Sequence, residues 1–168
     1  MKVAGFYEES ISNGIGWRAV LFVSGCPHNC PGCHNKIAQD YNYGEDYDQE
    51  KIISKIKENS ILRGITISGG EPLCKENIAE VNNFIEAVKK EKPNFDVWCY
   101  SGYTFEELKN RKDKETDKLL NNIDVLVDGR FIEERKNPEI RFRGSDNQRI
   151  LDVPKCLKEN KIVELDIS

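Results

Sequence analysis

The chain has 168 residues, 25 of them basic and 29 acidic, for a formal net charge of −4 at pH 7. That length fits one domain, near the usual ~100–150 residues, and leaves little room for a second independent core, so residues 1–168 are expected to form a single unit. The acidic balance argues against non-specific nucleic-acid binding; MKVAGFYEES at the start lacks a signal-like apolar core, and the longest apolar run, Ala19–Val23, is far below the ~18 residues that span a bilayer, so a cytoplasmic protein engaging neither nucleic acid nor membrane is expected.

WRAVLFVSG (17–25) is β-branched, aromatic and mostly apolar, and predicts a buried strand that delivers the following loop at its C-terminal end. DQEKIISKIKEN (48–59) sets Ile52, Ile53 and Ile56 behind acidic first-turn residues, a helix pattern. GITISGG (64–70) reads as a second short strand ended by glycines. In residues 77–93, Ile78, Val81, Ile85 and Val88 recur at helical spacing, with Lys89 and Lys90 near the end and Pro93 as a stop. FDVWCYSG (95–102) is the third strand, Thr104 with Glu107 forms a capping box for the next helix, and IDVLVDG (123–129) is the fourth strand. Further strands fall near 149–153 and 161–167.

Such alternation implies an α/β fold with parallel strands, helices packed outside and right-handed crossovers that curl the sheet. A full eight-fold barrel needs at least ~200 residues, so an incomplete parallel β/α barrel is expected. Chemistry then belongs at the C-terminal ends of the strands, where Cys26–Cys33, Gly69–Glu71, Ser101–Gly102 and Asp128–Gly129 all fall.

SGCPHNCPGCHN (24–35) places Cys26, Cys30 and Cys33 at C-x3-C-x2-C spacing. In a reducing compartment, clustered cysteines are more often metal ligands or redox groups than disulfides. Ferredoxin patterns supply four cysteines; three leave one position open for a substrate, as in a catalytic zinc site. Gly25, Pro27, Pro31 and Gly32 suit a tight wrap. Softness and spacing favour an open iron–sulfur cluster. Two blander readings stay open, a closed zinc site completed by His28 or His34, and unligated thiols. Cys74 stands beside a second loop where it can complete a ligand set, whereas Cys99 and Cys156 read as small buried hydrophobes.

TISGGEPL (66–73) follows a strand with two glycines, an acid and a proline. Gly69 and Gly70 permit close approach of a ligand to the backbone, Glu71 is placed to accept from an ammonium group, and Pro72 reads as the start of the next helix. Alone, the motif is most simply a strand-to-helix turn. Beside an open cluster, it suits an α-amino acid whose amino and carboxylate groups chelate a metal.

These residues resemble the radical S-adenosylmethionine superfamily, whose members carry a CxxxCxxC loop on the first strand and a GGE-like edge on the second. Within it, LFVSGCPHNCPGCHN, TISGGEPL, YSGYTFEEL, VLVDGRF and RFRGSDNQRILDV, spread over almost the whole chain, are similar to the activases of anaerobic ribonucleoside-triphosphate reductase. One departure is Gly32, where the superfamily usually has an aromatic residue before the third cysteine; His34 is the candidate to take over contact with adenine. The resemblance implies a [4Fe–4S] cluster on Cys26, Cys30 and Cys33, with S-adenosylmethionine on the fourth iron and Gly32, Cys33, His34, Gly69, Gly70 and Glu71 around it. It implies no catalytic residue beyond these groups. The implied reaction is one-electron cleavage of S-adenosylmethionine and removal of a hydrogen from a glycine of the reductase, fed by a low-potential electron donor such as flavodoxin. Activation of pyruvate formate-lyase is the nearest other enzyme reading, and that activase is usually longer and lacks the RFRG…NQR ending. A non-catalytic iron–sulfur or zinc binding module explains the cysteines but leaves Gly69–Glu71 without a task.

Residues 129–149 hold six arginines and lysines against four acids. They read either as a docking surface for the reductase or as a solvated loop whose arginines pair with neighbouring acids. Trp17, Tyr100 and Tyr103 are candidates for an adenosine pocket, or for core and rim packing.

Overall fold

The computed structural model describes all 168 residues. In chain order the elements are strands β1 (Lys2–Ser10), β2 (Arg18–Val23) and β3 (Glu45–Asp46), helix α1 (Gln49–Glu58), strand β4 (Gly64–Gly69), helix α2 (Ile78–Glu91), strand β5 (Asp96–Ser101), helices α3 (Phe105–Arg111) and α4 (Lys114–Asn122), strands β6 (Val125–Asp128) and β7 (Arg149–Asp152), and helix α5 (Val153–Glu159). They build one seven-stranded sheet in the order β3-β1-β2-β4-β5-β6-β7.

The four strands expected from the sequence, β2, β4, β5 and β6, pair in parallel. Their cores are hydrophobic runs because they are covered on both faces. Wholly parallel pairing fails at both margins, where β1 pairs antiparallel with β2 and β3, and β7 antiparallel with β6. The connections explain this. Parallel neighbours need a long crossover, usually helical, whereas only residues 11–17 link β1 to β2, and residues 129–148 contain a single 3-10 turn, Glu133–Arg135.

Alternation along the strands divides the interior. Leu21, Ile65, Ile67, Val97, Cys99 and Leu126 face the helices and join Val81, Phe84, Ile85 and Val88 of α2 in the main core. On the other face a smaller cluster, Trp98, Val125, Val127 and Ile150, packs with Phe142 and the C-terminal Leu165 and Ile167. At the N-terminal end of β2 the buried Arg18 closes this second face by donating to Thr66 Oγ1 at 2.8 Å, Ile15 O at 2.9 Å and Ile65 O at 2.7 Å. The C-terminal ends of the strands stay open to a cavity.

The capping box forms as read, with Thr104 accepting from the Glu107 N–H and Glu107 answering to Thr104 N. Pro72 does not start a helix. Residues 72–77 run as successive turns held by Leu73 N to Glu71 Oε2 and Asn77 N to Cys74 O, so α2 begins only at Ile78. Of the two further strands expected, 149–153 becomes β7, and 161–167 contributes one bridge, Glu164 to Leu151. No helix is long and apolar enough to cross a membrane.

Candidate iron–sulfur and S-adenosylmethionine site

The cysteine loop leaves β2 through Gly25, whose φ of +98° and contact with the Tyr41 ring exclude a side chain. Backbone bonds then sew it to its surroundings, with Gly25 N donating to Ala38 O at 2.7 Å, Cys26 N to Gln39 O at 3.1 Å, and Glu71 N to Gly25 O at 2.7 Å. Gly32 also needs glycine, since its φ is +72° and a Cβ would lie 2.8 Å from Glu133 Cδ. Gly32 is exposed, with only the Glu133 side chain of the 129–148 loop beside it.

Cys26, Cys30 and Cys33 are free, half-buried, and line one cavity of about 550 Å³ together with His34, Gly69, Gly70 and Glu71. Burial pushes the Cys26 thiol up to about 11, and burial also raises Cys30. Neighbouring thiolates add to both shifts, so these groups ionise when a soft cation takes the proton's place.

Three soft thiolates with neither histidine added suit an iron–sulfur cluster. A closed tetrahedral zinc site needs a fourth ligand beside three cysteines, and neither His28 nor His34 is turned to supply it. A cluster takes one thiolate per iron, so its ligands spread across separate corners. His28 is engaged by Glu71 at 2.6 Å, and His34 faces Phe131 at 5.2 Å between ring centroids. Gln39 Nε2, buried beside the same cavity, has no hydrogen-bond partner in the protein.

The second edge reaches the cavity, but Glu71 is not free to accept from an ammonium group as the sequence suggested, because four protein donors fill its acceptor positions. Gly70 N donates to Val23 O at 2.7 Å, and Gly69 holds a φ of +102°. Glu71 is fully buried. Its Oε1 accepts from Gly102 N at 2.7 Å and from His28 Nε2 at 2.6 Å, and its Oε2 from Leu73 N and Ser101 Oγ, both at 2.9 Å. The His28 side chain is 6% exposed and meets Tyr103 edge-on at 4.5 Å. This pairing links residues 43 apart in the chain, and no local sequence signal announces it.

Of the three aromatics proposed for an adenosine pocket, Tyr100 lines the cavity. Trp17 stands 46% exposed outside it, and Tyr103 packs behind His28 under the Arg111 guanidinium at 4.3 Å. The far wall comes from the 129–148 loop, through Phe131, Phe142, Arg143, Gly144 and Gln148. Here the NQR stretch acts as a staple. Gln148 Oε1 accepts from Gly144 N and Ser145 N, its Nε2 donates to Gly129 O, and Asn147 Nδ2 donates to Arg130 O. Three arginines of the segment are paired, Arg130 with Glu107, Arg135 with Asp146, and Arg149 with Asp128 and Glu106. Arg141 and Arg143 bond only to backbone carbonyls, of Ile167, Arg141 and Gln148. Gln39, Phe131 and Phe142 enter the site without any motif to mark them. Cys74 is buried outside the cavity, as are Cys99 and Cys156.

Residues 12–151 match the family described as a 4Fe-4S single cluster domain. The chain is 43% identical over 154 residues to the anaerobic ribonucleoside-triphosphate reductase-activating protein of Vibrio cholerae and 40% identical over 154 residues to that of Haemophilus influenzae, in each case covering 89% of this chain and 97% of the relative. To the Escherichia coli protein of the same name it is 38% identical over 152 residues, covering 88% and 96%. With its three thiols and its glycine edge meeting on one cavity, this chain belongs to the family of anaerobic ribonucleoside-triphosphate reductase-activating proteins.

Proposed function

We propose that the chain is a radical S-adenosylmethionine enzyme that generates the glycyl radical of an anaerobic ribonucleoside-triphosphate reductase. The observation that carries this reading is the meeting of Cys26, Cys30 and Cys33 with Gly69–Glu71 on one cavity at the C-terminal ends of parallel strands. In it the three cysteines hold a [4Fe–4S] cluster, and Gly69, Gly70 and Glu71 form the edge that takes the methionyl end of S-adenosylmethionine. Gly32, Cys33 and His34 flank the nucleoside. When bound, the cluster supplies the electron that splits S-adenosylmethionine reductively, providing the radical that removes a hydrogen from the reductase glycine. The protein's own residues seat these groups, with Tyr100, Phe131 and Phe142 on the cavity wall, and closure comes from the docked partner.

We read the sheet as an incomplete β/α barrel of the radical S-adenosylmethionine type, whose missing strands leave a lateral opening for the partner's glycine loop. Docking of that loop on the helix-covered face would refute this. Arg141 and Arg143, which have no carboxylate partner, are the docking arginines in this reading. Changing both to alanine should weaken reductase binding, and unchanged binding by a folded variant would remove the role. Operation in the cytoplasm with a low-potential donor such as flavodoxin belongs to the same reading.

The test is anaerobic reconstitution with iron and sulfide, then S-adenosylmethionine and a strong reductant. Wild-type protein should form 5′-deoxyadenosine and, with the reductase, a glycyl-radical signal; Cys30→Ala should form neither. Wild-type protein without deoxyadenosine would refute the reading, and a signal on pyruvate formate-lyase alone would redirect it.

A further inference from the structure

Between Cys26 and His34, the side chain that reaches across to the Gly69–Glu71 edge is His28. Four features seat that imidazole. Its Nε2 lies 2.6 Å from Glu71 Oε1, its ring meets Tyr103 edge-on at 4.5 Å, its side chain is 6% exposed, and Gly102 lacks the side chain that would place a Cβ 2.5 Å from its Cδ2. A carboxylate can only accept, so the imidazole proton sits on Nε2.

Glu71 ties three segments together. A carboxylate has about four acceptor positions, and here Leu73 N, Ser101 Oγ, Gly102 N and His28 Nε2 fill them. The partners come from the exit of β4, the exit of β5 and the middle of the cysteine loop. His28 stands two residues from both Cys26 and Cys30, so the position of both thiols depends on where its ring is held.

We propose that His28 is a positioning residue, whose hydrogen bond to Glu71 fixes the cysteine loop against the Gly69–Gly70 edge and so sets the spacing between cluster and S-adenosylmethionine. The inference rests on the reading above that the cavity takes both groups. It assigns Glu71 a share in holding the methionyl end that is exerted through this bracing of the edge.

The test uses the full chain, reconstituted anaerobically. It reads iron content, the S-adenosylmethionine dissociation constant by equilibrium dialysis, and the paramagnetic resonance spectrum of the reduced cluster with and without S-adenosylmethionine. His28→Phe keeps a ring against Tyr103 and Gly102 but has no donor; it should retain iron, bind S-adenosylmethionine about tenfold more weakly, and show an altered response of the spectrum to it. His28→Gln, a donor of similar reach, should stay within about threefold of wild type. Because the two residues act as one unit, His28→Phe combined with Glu71→Gln should bind no more weakly than the weaker single variant.

His28→Phe binding as tightly as wild type would overturn the proposal. Tighter binding would too, since it would mean that the imidazole merely fills the place of the ligand's ammonium. Additive losses in the double variant would also overturn it. If His28→Phe takes up no iron, His28→Gln decides, because a glutamine variant that also fails to load shows that the donor is not the requirement. Wild-type protein that does not bind S-adenosylmethionine removes the functional reading and the inference together, whereas wild-type binding with an unimpaired His28→Phe removes the inference alone.

Discussion

Gly70→Ala tests whether the two edges of the site are interlocked through their backbones. A Cβ at residue 70 would lie 2.5 Å from Gly25 O and 2.8 Å from Ala38 O. Both atoms are backbone, so no rotamer change relieves the contact. Gly25 O would have to retreat from 2.5 Å to ordinary contact at 3.4 Å, about 0.9 Å. Yet it accepts from Glu71 N at 2.7 Å, and Ala38 O accepts from Gly25 N at 2.7 Å, so a retreat of that size takes these bonds beyond the roughly 3.2 Å limit of good geometry. Overpacking of this kind costs about 1–3 kcal/mol. At about 2–4 °C per kcal/mol for a domain of this size, the melting temperature should fall by about 2–12 °C. A displacement near 1 Å at a reacting centre can cost about a hundredfold in rate, so deoxyadenosine formation should drop by about ten- to a hundredfold. Gly5→Ala is the control, because its Cβ would meet only Phe22 Cδ2 at 3.8 Å. Thermal melts of the metal-free proteins, followed by assay of the reconstituted ones, measure both effects. If Gly70→Ala melts and turns over like Gly5→Ala, the close approach of the two edges is wrong.

Asp128→Ala removes a fully buried carboxylate that accepts from Arg149 Nε at 3.0 Å, Arg149 Nη2 at 2.6 Å and Phe105 N at 2.8 Å; breaking one side of a buried pair should cost about 3 kcal/mol, read by denaturant unfolding. Arg135→Ala, at a pair half-exposed on both sides, should stay within about 0.5 kcal/mol of wild type. The Arg130 guanidinium holds Glu107 down from 4.5 to about 2. A depressed carboxylate stabilises the fold above its unfolded value, so the advantage of wild type over Arg130→Ala should be constant above pH 4.5 and fade as pH falls towards 2. Acid titrations of both proteins by circular dichroism measure this, and added salt should shrink the difference because the pair is exposed.

The central strands and their helices were legible because burial on both faces writes itself as apolar runs and helical spacing. β2, β4, β5 and β6 all lie within the ranges read for them, and α1 and α2 follow their isoleucine and valine periods. β1 gave no such signal, since its last four residues, Tyr7–Ser10, are exposed or half-covered and two are glutamates. The two-residue β3 is too short for periodicity to register, and Pro72 misled because Glu71 ties the following backbone into turns. At the site, the cysteine spacing and the two glycines could be read directly, since each does its work locally. The 43-residue link from His28 to Glu71 could not.

That division has a physical source. The outline of the site is set by backbone, where Gly25, Gly69 and Gly70 let two chain segments approach closely enough to exchange hydrogen bonds at 2.7 Å. Such close approach needs only the absence of side chains, so it leaves a mark in composition, as glycines at strand ends. The fine position of the thiols depends instead on one carboxylate receiving four donors from three segments, and each donor is ordinary in its own local context. A buried carboxylate missing one of those donors would carry a desolvation penalty of about 1–3 kcal/mol or more, enough to move the loop that bears all three cysteines. The spacing of Cys26, Cys30 and Cys33 therefore names the chemistry, while the accuracy with which it is delivered rests on Glu71 and the residues that fill its lone pairs.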